Sequence, residues 1–159
     1  MRPRVHHVIA GAAALVLITL FGSPAAAQEK KLTHAQLPAA VQRTADEQSK
    51  GATVRGYSTE KDEGQTVFEV EMTVHGRSRD VTIDSAGTVL EIEEQVQFDS
   101  LPEAVRAGLK QAAGAGQITN VESLAKGGRL VAYEAHVHTG NKRSEVQVGP
   151  DGKPLAHPE

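Results

Sequence analysis

The sequence predicts an α+β protein of two tandem units, each with one helix packed on a four-stranded antiparallel sheet. Three observations carry that expectation. The stretch 67–94 reads as three consecutive strands, a degraded copy of it returns at 132–155, and Leu37-Pro38-Ala-Ala-Val41 recurs 64 residues later as Leu101-Pro102-Glu-Ala-Val105. Further along the spacing becomes 65, so that Phe68 matches Tyr133, Glu69 matches Glu134, Gly87 matches Gly152 and Leu90 matches Leu155. A repeat of that length is a duplicated small unit and too long for a solenoid repeat.

Each unit opens with a helix. Ser100-Leu-Pro-Glu103 has the form of a capping box, with Pro102 in the first turn where no amide partner is lost. Leu101, Val105, Leu109 and Ala112 then fall on one face, and Gly114 with Gly116 ends the helix. Thr33-His-Ala-Gln36 has the same form, but a helix begun there would carry Pro38 at its fifth position, where the ring clashes with the preceding turn. The first helix is therefore expected to start near Leu37, with Val41 and Ala45 as a thinner apolar stripe.

A strand follows each helix, at 53–59 and 117–124. In the next strand Phe68, Val70, Met72 and Val74 alternate with Glu69, Glu71, Thr73 and His75, the period of a strand with one buried face. His75-Gly76 turns the chain, Val81 and Ile83 bring the buried face back, and Asp84-Ser-Ala-Gly87 turns it again. Leu90 and Ile92 then supply a third buried stripe. A helix on one side of such a sheet leaves the other side polar, and Glu69, Glu71, Thr73, Asp80, Thr82, Glu91 and Glu93 occupy it.

Ahead of the repeats, Arg2 and Arg4 precede an apolar run at 8–21, and Gly22-Ser-Pro-Ala-Ala-Ala27 ends in small residues. This is the pattern of a secretory signal peptide over 1–27, and the run is shorter than the roughly 20 apolar residues a membrane span needs. The expected organisation is thus 1–27 leader, 28–97 first unit and 98–159 second unit, in a periplasmic or secreted protein with no stable membrane insertion afterwards. The chain has no cysteine, which excludes both disulfides and a lipid-attachment thiol. Two of the 17 basic residues and none of the 20 acidic ones lie in the leader, so the remainder carries a net charge of −5. That balance, with two Tyr, three Phe and no Trp, argues against a nucleic-acid partner.

The helix motif, the aromatic-Glu-x-x-Val strand and the Asp-x-x-Gly or Pro-Asp-Gly turn together resemble the PepSY-like family of small exported bacterial domains, often found in tandem. The resemblance covers 37–155. It implies a helix on a four-stranded antiparallel sheet and a non-enzymatic binding or inhibitory role. A tandem pair is also similar to the secreted beta-lactamase inhibitor proteins, whose sheets form a protein-binding surface, although this chain lacks their cysteines.

Two clusters could carry chemistry. Glu134, His136 and His138 alternate on one strand, so their side chains share a face with successive Cα atoms about 7 Å apart. A carboxylate and imidazoles so placed suit Zn or Cu, and a solvated outer face is the plainer explanation. The second is the acidic face of the first unit. Residues 37–97 hold 12 acidic and 6 basic residues against 6 and 7 in 101–159, an asymmetry that could steer a basic partner or hold Ca²⁺ loosely. No loop has Ca²⁺-ligand spacing, Gly114-Ala-Gly116 lacks the rest of a dinucleotide fingerprint, and no nucleophile elbow or triad setting occurs. The expectation is a non-catalytic module with no cofactor, binding an envelope or secreted protein or peptide through Glu69, Glu71, His75, Glu134, His136 and His138. Its alternative is a periplasmic Zn or Cu protein using Glu134, His136 and His138.

Overall fold

The computed structural model describes residues 29–62 and 64–159. The leader expected over 1–27 lies outside them. Among the described residues no helix is long and apolar enough to cross a membrane.

Eight strands form one continuous antiparallel sheet in sequence order: β1 (Lys30–Leu32), β2 (Thr53–Asp62), β3 (Gln65–Val74), β4 (Arg77–Asp84), β5 (Val89–Gln95), β6 (Gln117–Lys126), β7 (Arg129–Thr139) and β8 (Lys142–Val148). Helix α1 (Ala39–Gln48) precedes β2, and α2 (Glu103–Ala113) lies between β5 and β6. This corrects the expected pair of separate four-stranded sheets. The last strand of the first half and the first of the second pair along five residues, from Glu91 opposite Lys126 to Gln95 opposite Glu122. Two open strand edges there satisfy each other's backbone groups. The halves are also unequal. β1 adds a strand ahead of the first helix, while the strand expected near Leu155 reduces to one bridge between Val148 and Pro154. Proline has no N–H to extend a ladder beyond that point.

The helices cover one face, each over its own apolar cluster. Val41 and Ala45 of α1 pack with Val70, Met72, Val81 and Ile83, and Val105 and Leu109 of α2 pack with Val121, Ala135, Val137 and Val148. Ala112, expected on the apolar stripe, is exposed, and Ala113 packs instead. The first helix starts close to Leu37, as Pro38 requires, but the second is not capped by Ser100. Pro38 and Pro102 are the N-caps, and a 3₁₀ turn lies just upstream of each, at His34–Gln36 and at Phe98–Ser100, where Ser100 Oγ donates to the Gln97 carbonyl at 2.7 Å. A Pro following Leu forces the leucine into an extended conformation, so the α-helix begins one residue after the proline.

The repeat shows in the backbone as well. Gly87 and Gly152 both have positive φ, and each turn lies against the first turn of its helix. An added Cβ would meet the Ala40 carbonyl oxygen at 2.9 Å in one and the Ala104 carbonyl oxygen at 2.1 Å in the other. Asp84 Oδ1 fixes the first turn by accepting from the amides of Ala86 and Thr88 at 2.9 and 2.8 Å. A β-bulge at Arg55 in β2 recurs at Thr119 in β6, 64 residues on.

One buried position was misjudged. Leu90 is 36% exposed, because the ladder between β4 and β5 slips after Thr82 and puts Val89, not Leu90, opposite Ile83.

Candidate functional site

The face opposite the helices gathers the acidic residues in rows that run across the strands. Antiparallel neighbours share a face with Cβ atoms about 5 Å apart. One row is Glu71, Asp80 and Glu93, and the next is Gln95, Glu122, Glu134 and Gln147. Like charges directly opposite each other disfavour the sheet, so this face has an electrostatic cost in the free protein.

Few cations answer it. Arg55, turned by its bulge, donates from Nη2 to Asp80 Oδ1 at 2.8 Å, and Lys126 Nζ lies 3.3 Å from Glu91. The carboxyl of Glu69 is pushed up to about 7, chiefly by burial and then by Asp80 and Glu71, against a hydrogen bond from Ser58. That of Glu93 is pushed up to about 9, by burial first and then by its hydrogen bond with Glu91 and the charges of Glu91, Glu122 and Glu134. Burial also raises Asp80 and Glu134, opposed by Arg55 in the first case and by the Gln147 amide in the second.

The rows line a recess of about 630 Å³ floored by Asp80, Glu93, Glu122, Leu124, Glu134 and His136. After β8 the chain returns across this face, so that Leu155, Pro158 and Glu159 form part of the rim. The Glu159 amide donates to Gln147 Oε1 at 2.8 Å, and Glu159 Oε2 lies 3.8 Å from Lys126 Nζ.

Three side chains converge within it. Glu122, Glu134 and His136 each offer one ligand atom, all within 4.8 Å of one another. His136 Nε2 is 3.2 Å from Glu122 Oε2 and 3.7 Å from Glu134 Oε1. The other oxygen of each carboxylate is held by neutral donors. Glu122 Oε1 accepts from Asn120 Nδ2 at 2.9 Å and from Ser78 Oγ at 3.4 Å, and Glu134 Oε2 accepts from Gln147 Nε2 at 2.8 Å.

The sequence-predicted residues divide accordingly. Glu134 and His136 meet in the recess, and Glu69 and Glu71 lie on the same face four strands away, on β3. His138 is exposed near the end of β7, opposite Gln117 and Arg143, and is not one of the converging three. His75 is in the hairpin turn with φ 50° and is exposed, so it lies off the strand face assigned to it. Glu122 was missed. Its sequence signal is only its place on an alternating strand, and its pairing with Glu134 depends on a bulge.

No protein-family model matches the chain, nor does any curated protein, so the resemblance to PepSY-like domains has no family match behind it. Several solved structures are similar. A DUF2874 family protein from Bacteroides ovatus is 18% identical with a TM-score of 0.58, covering 75% of this chain and 84% of that one. A protein from Bacteroides eggerthii, described as a candidate periplasmic protein, is 17% identical with a TM-score of 0.59 over 75% of this chain and 86% of its own. A BLIP-like protein from Bacteroides fragilis is 19% identical with a TM-score of 0.52 over 73% and 81%. At these identities the likeness is one of fold, shared with proteins described as DUF2874 family, periplasmic or BLIP-like.

Proposed function

We propose that the chain is an exported, non-catalytic binding module whose outer sheet face holds a cationic segment of an envelope or secreted protein or peptide. The observation that supports it is the pair of carboxylate rows on a partly buried face with few basic partners. Lys or Arg side chains entering from a partner would supply the missing positive charge in a setting less screened than open surface. The face is also long enough to take an extended segment across several strands, and covering an envelope enzyme this way would inhibit it. The periplasmic description of a fold neighbour and the BLIP-like description of another accord with this role.

The test is capture of partners from envelope extract of the source organism by the wild-type chain and by a Glu69→Lys, Glu71→Lys variant. A dominant partner recovered by the first and lost from the second, with recovery falling as salt is raised, is the expected result. Equal recovery by both would remove this face from the interaction.

A further inference from the structure

We propose that Glu122, Glu134 and His136 form a binding site for one divalent transition-metal ion of the zinc class. Its two carboxylates stand in the second acidic row of the same face, and the site does not depend on Glu69 or Glu71.

The first argument is distance. Zinc binds imidazole nitrogen and carboxylate oxygen at about 2.0–2.2 Å, so adjacent ligand atoms of a tetrahedral site stand roughly 3.4 Å apart. The separations of 3.2 and 3.7 Å from His136 Nε2 bracket that value. The second is orientation. Each carboxylate has one oxygen engaged by neutral side-chain donors and the other turned toward the imidazole, which is the outer-shell pattern that aims ligands at a metal.

The third argument is independent of the cluster's own geometry. Glu122 and Glu134 are only 6% and 9% exposed, and neither has a Lys or Arg within ion-pair distance among the described residues. One imidazole cannot balance two buried carboxylates, and buried charges are ordinarily paired or metal-bound. Asn120, whose Nδ2 donates to Glu122 Oε1, is partly buried and has an Oδ1 with no hydrogen-bond partner among the described residues. Two carboxylates and one imidazole leave a fourth position for water or for a partner's side chain, and the nitrogen ligand favours zinc over calcium or magnesium.

Calorimetric titration of the metal-stripped full chain with Zn²⁺, and separately with Ca²⁺ and Mg²⁺, tests this. One saturable zinc equivalent is expected, weakened at least tenfold in Glu122→Gln and in His136→Gln and unchanged within about twofold in His138→Gln. His136 is half-exposed, so its variant keeps the fold, and circular dichroism checks both variants. The proposal is overturned by absence of saturable zinc binding, by zinc binding that survives His136→Gln, by equal loss in His138→Gln, or by calcium bound as tightly as zinc. The Glu69→Lys, Glu71→Lys variant should bind zinc like wild type, so loss of partner capture and loss of metal are read separately.

Discussion

Replacing Glu69 with Gln should stabilise the protein at pH 8 and leave its stability nearly unchanged below pH 4.5. Glu69 sits on β3 with Asp80 and Glu71 close by, and burial together with those charges moves its carboxyl from 4.5 to about 7. Between those two pH values the folded chain holds a proton that the unfolded chain has released. Stability therefore falls as pH rises through this window, the reverse of a salt-bridged carboxylate. A shift of about 2.5 units corresponds to roughly 3.4 kcal/mol at 1.36 kcal/mol per unit. The side chain is only partly buried, so solvent screening cuts this to about 1–2 kcal/mol. Gln retains the shape and can still accept the Ser58 hydroxyl, so the substitution removes the charge and little else. Urea unfolding of both proteins at half-unit steps from pH 4 to 8.5 reads the difference. The gap should open between pH 4.5 and 7 and then level. A gap independent of pH, or a variant less stable than wild type at pH 8, would refute the electrostatic account of this face.

Other substitutions test the packing that presents the face. Gly152→Ala places a methyl 2.1 Å from the Ala104 carbonyl oxygen at positive φ, and thermal unfolding should show a loss of about 2–5 kcal/mol. Gly87→Ala meets the Ala40 oxygen at 2.9 Å and should cost less, about 1–3 kcal/mol, in the same assay. Leu109→Ala, at a fully buried position on the inner face of α2, should lose about 2–5 kcal/mol by denaturant titration. Leu90→Ser should stay within about 0.5 kcal/mol of wild type, because the slip after Thr82 turns Leu90 outward.

Much of the fold was legible because its signals are local. Alternation of Phe68, Val70 and Met72 against glutamates defines the buried face of β3 without reference to any other strand, and Pro38 places the start of α1 by steric exclusion alone. The long-range pairings were not legible. Nothing in 91–95 or 122–126 says that these strands join, since two units with separate edges satisfy the same pattern. The candidate site fails at a subtler level. Counting back from the Gly127-Gly128 turn, where Lys126 faces Arg129, an unbroken ladder would put Tyr133 opposite Glu122. A single extra residue in β7, Val131, shifts the register so that Glu134 stands there instead and shares the outer face. Without that bulge Glu134 and His136 would point at α2. The alternation of Glu134, His136 and His138 correctly marks a shared face, but metal ligation needs atoms within a few ångströms. The cross-strand neighbour Glu122 meets that condition, and His138, one pleat repeat away, is not part of the converging set.

The same carboxylates give the face opposite effects on stability and on binding, and this ties the two readings of the recess together. In the free chain the carboxyl groups of Glu71, Asp80 and Glu93 in one row and of Glu122 and Glu134 in the next stand across roughly 5 Å spacings, and the cost of charging them together shows at Glu93, whose carboxyl burial and its acidic neighbours keep protonated up to about 9. Chains selected for stability alone would dilute such rows with Thr or Gln, as this sheet does at Thr73, Gln95 and Gln147. A cation, whether a partner's lysine or a metal ion, removes the repulsion and binds only the folded arrangement, so its binding energy adds to folding. Neutralising substitutions on these rows should therefore raise stability and lower affinity together, whereas substitutions under the helices should lower stability and leave affinity per folded molecule unchanged. That opposition of signs, measured on the same set of variants, separates a face kept acidic for a ligand from one that is acidic for solubility, which would gain stability on neutralisation and lose no binding.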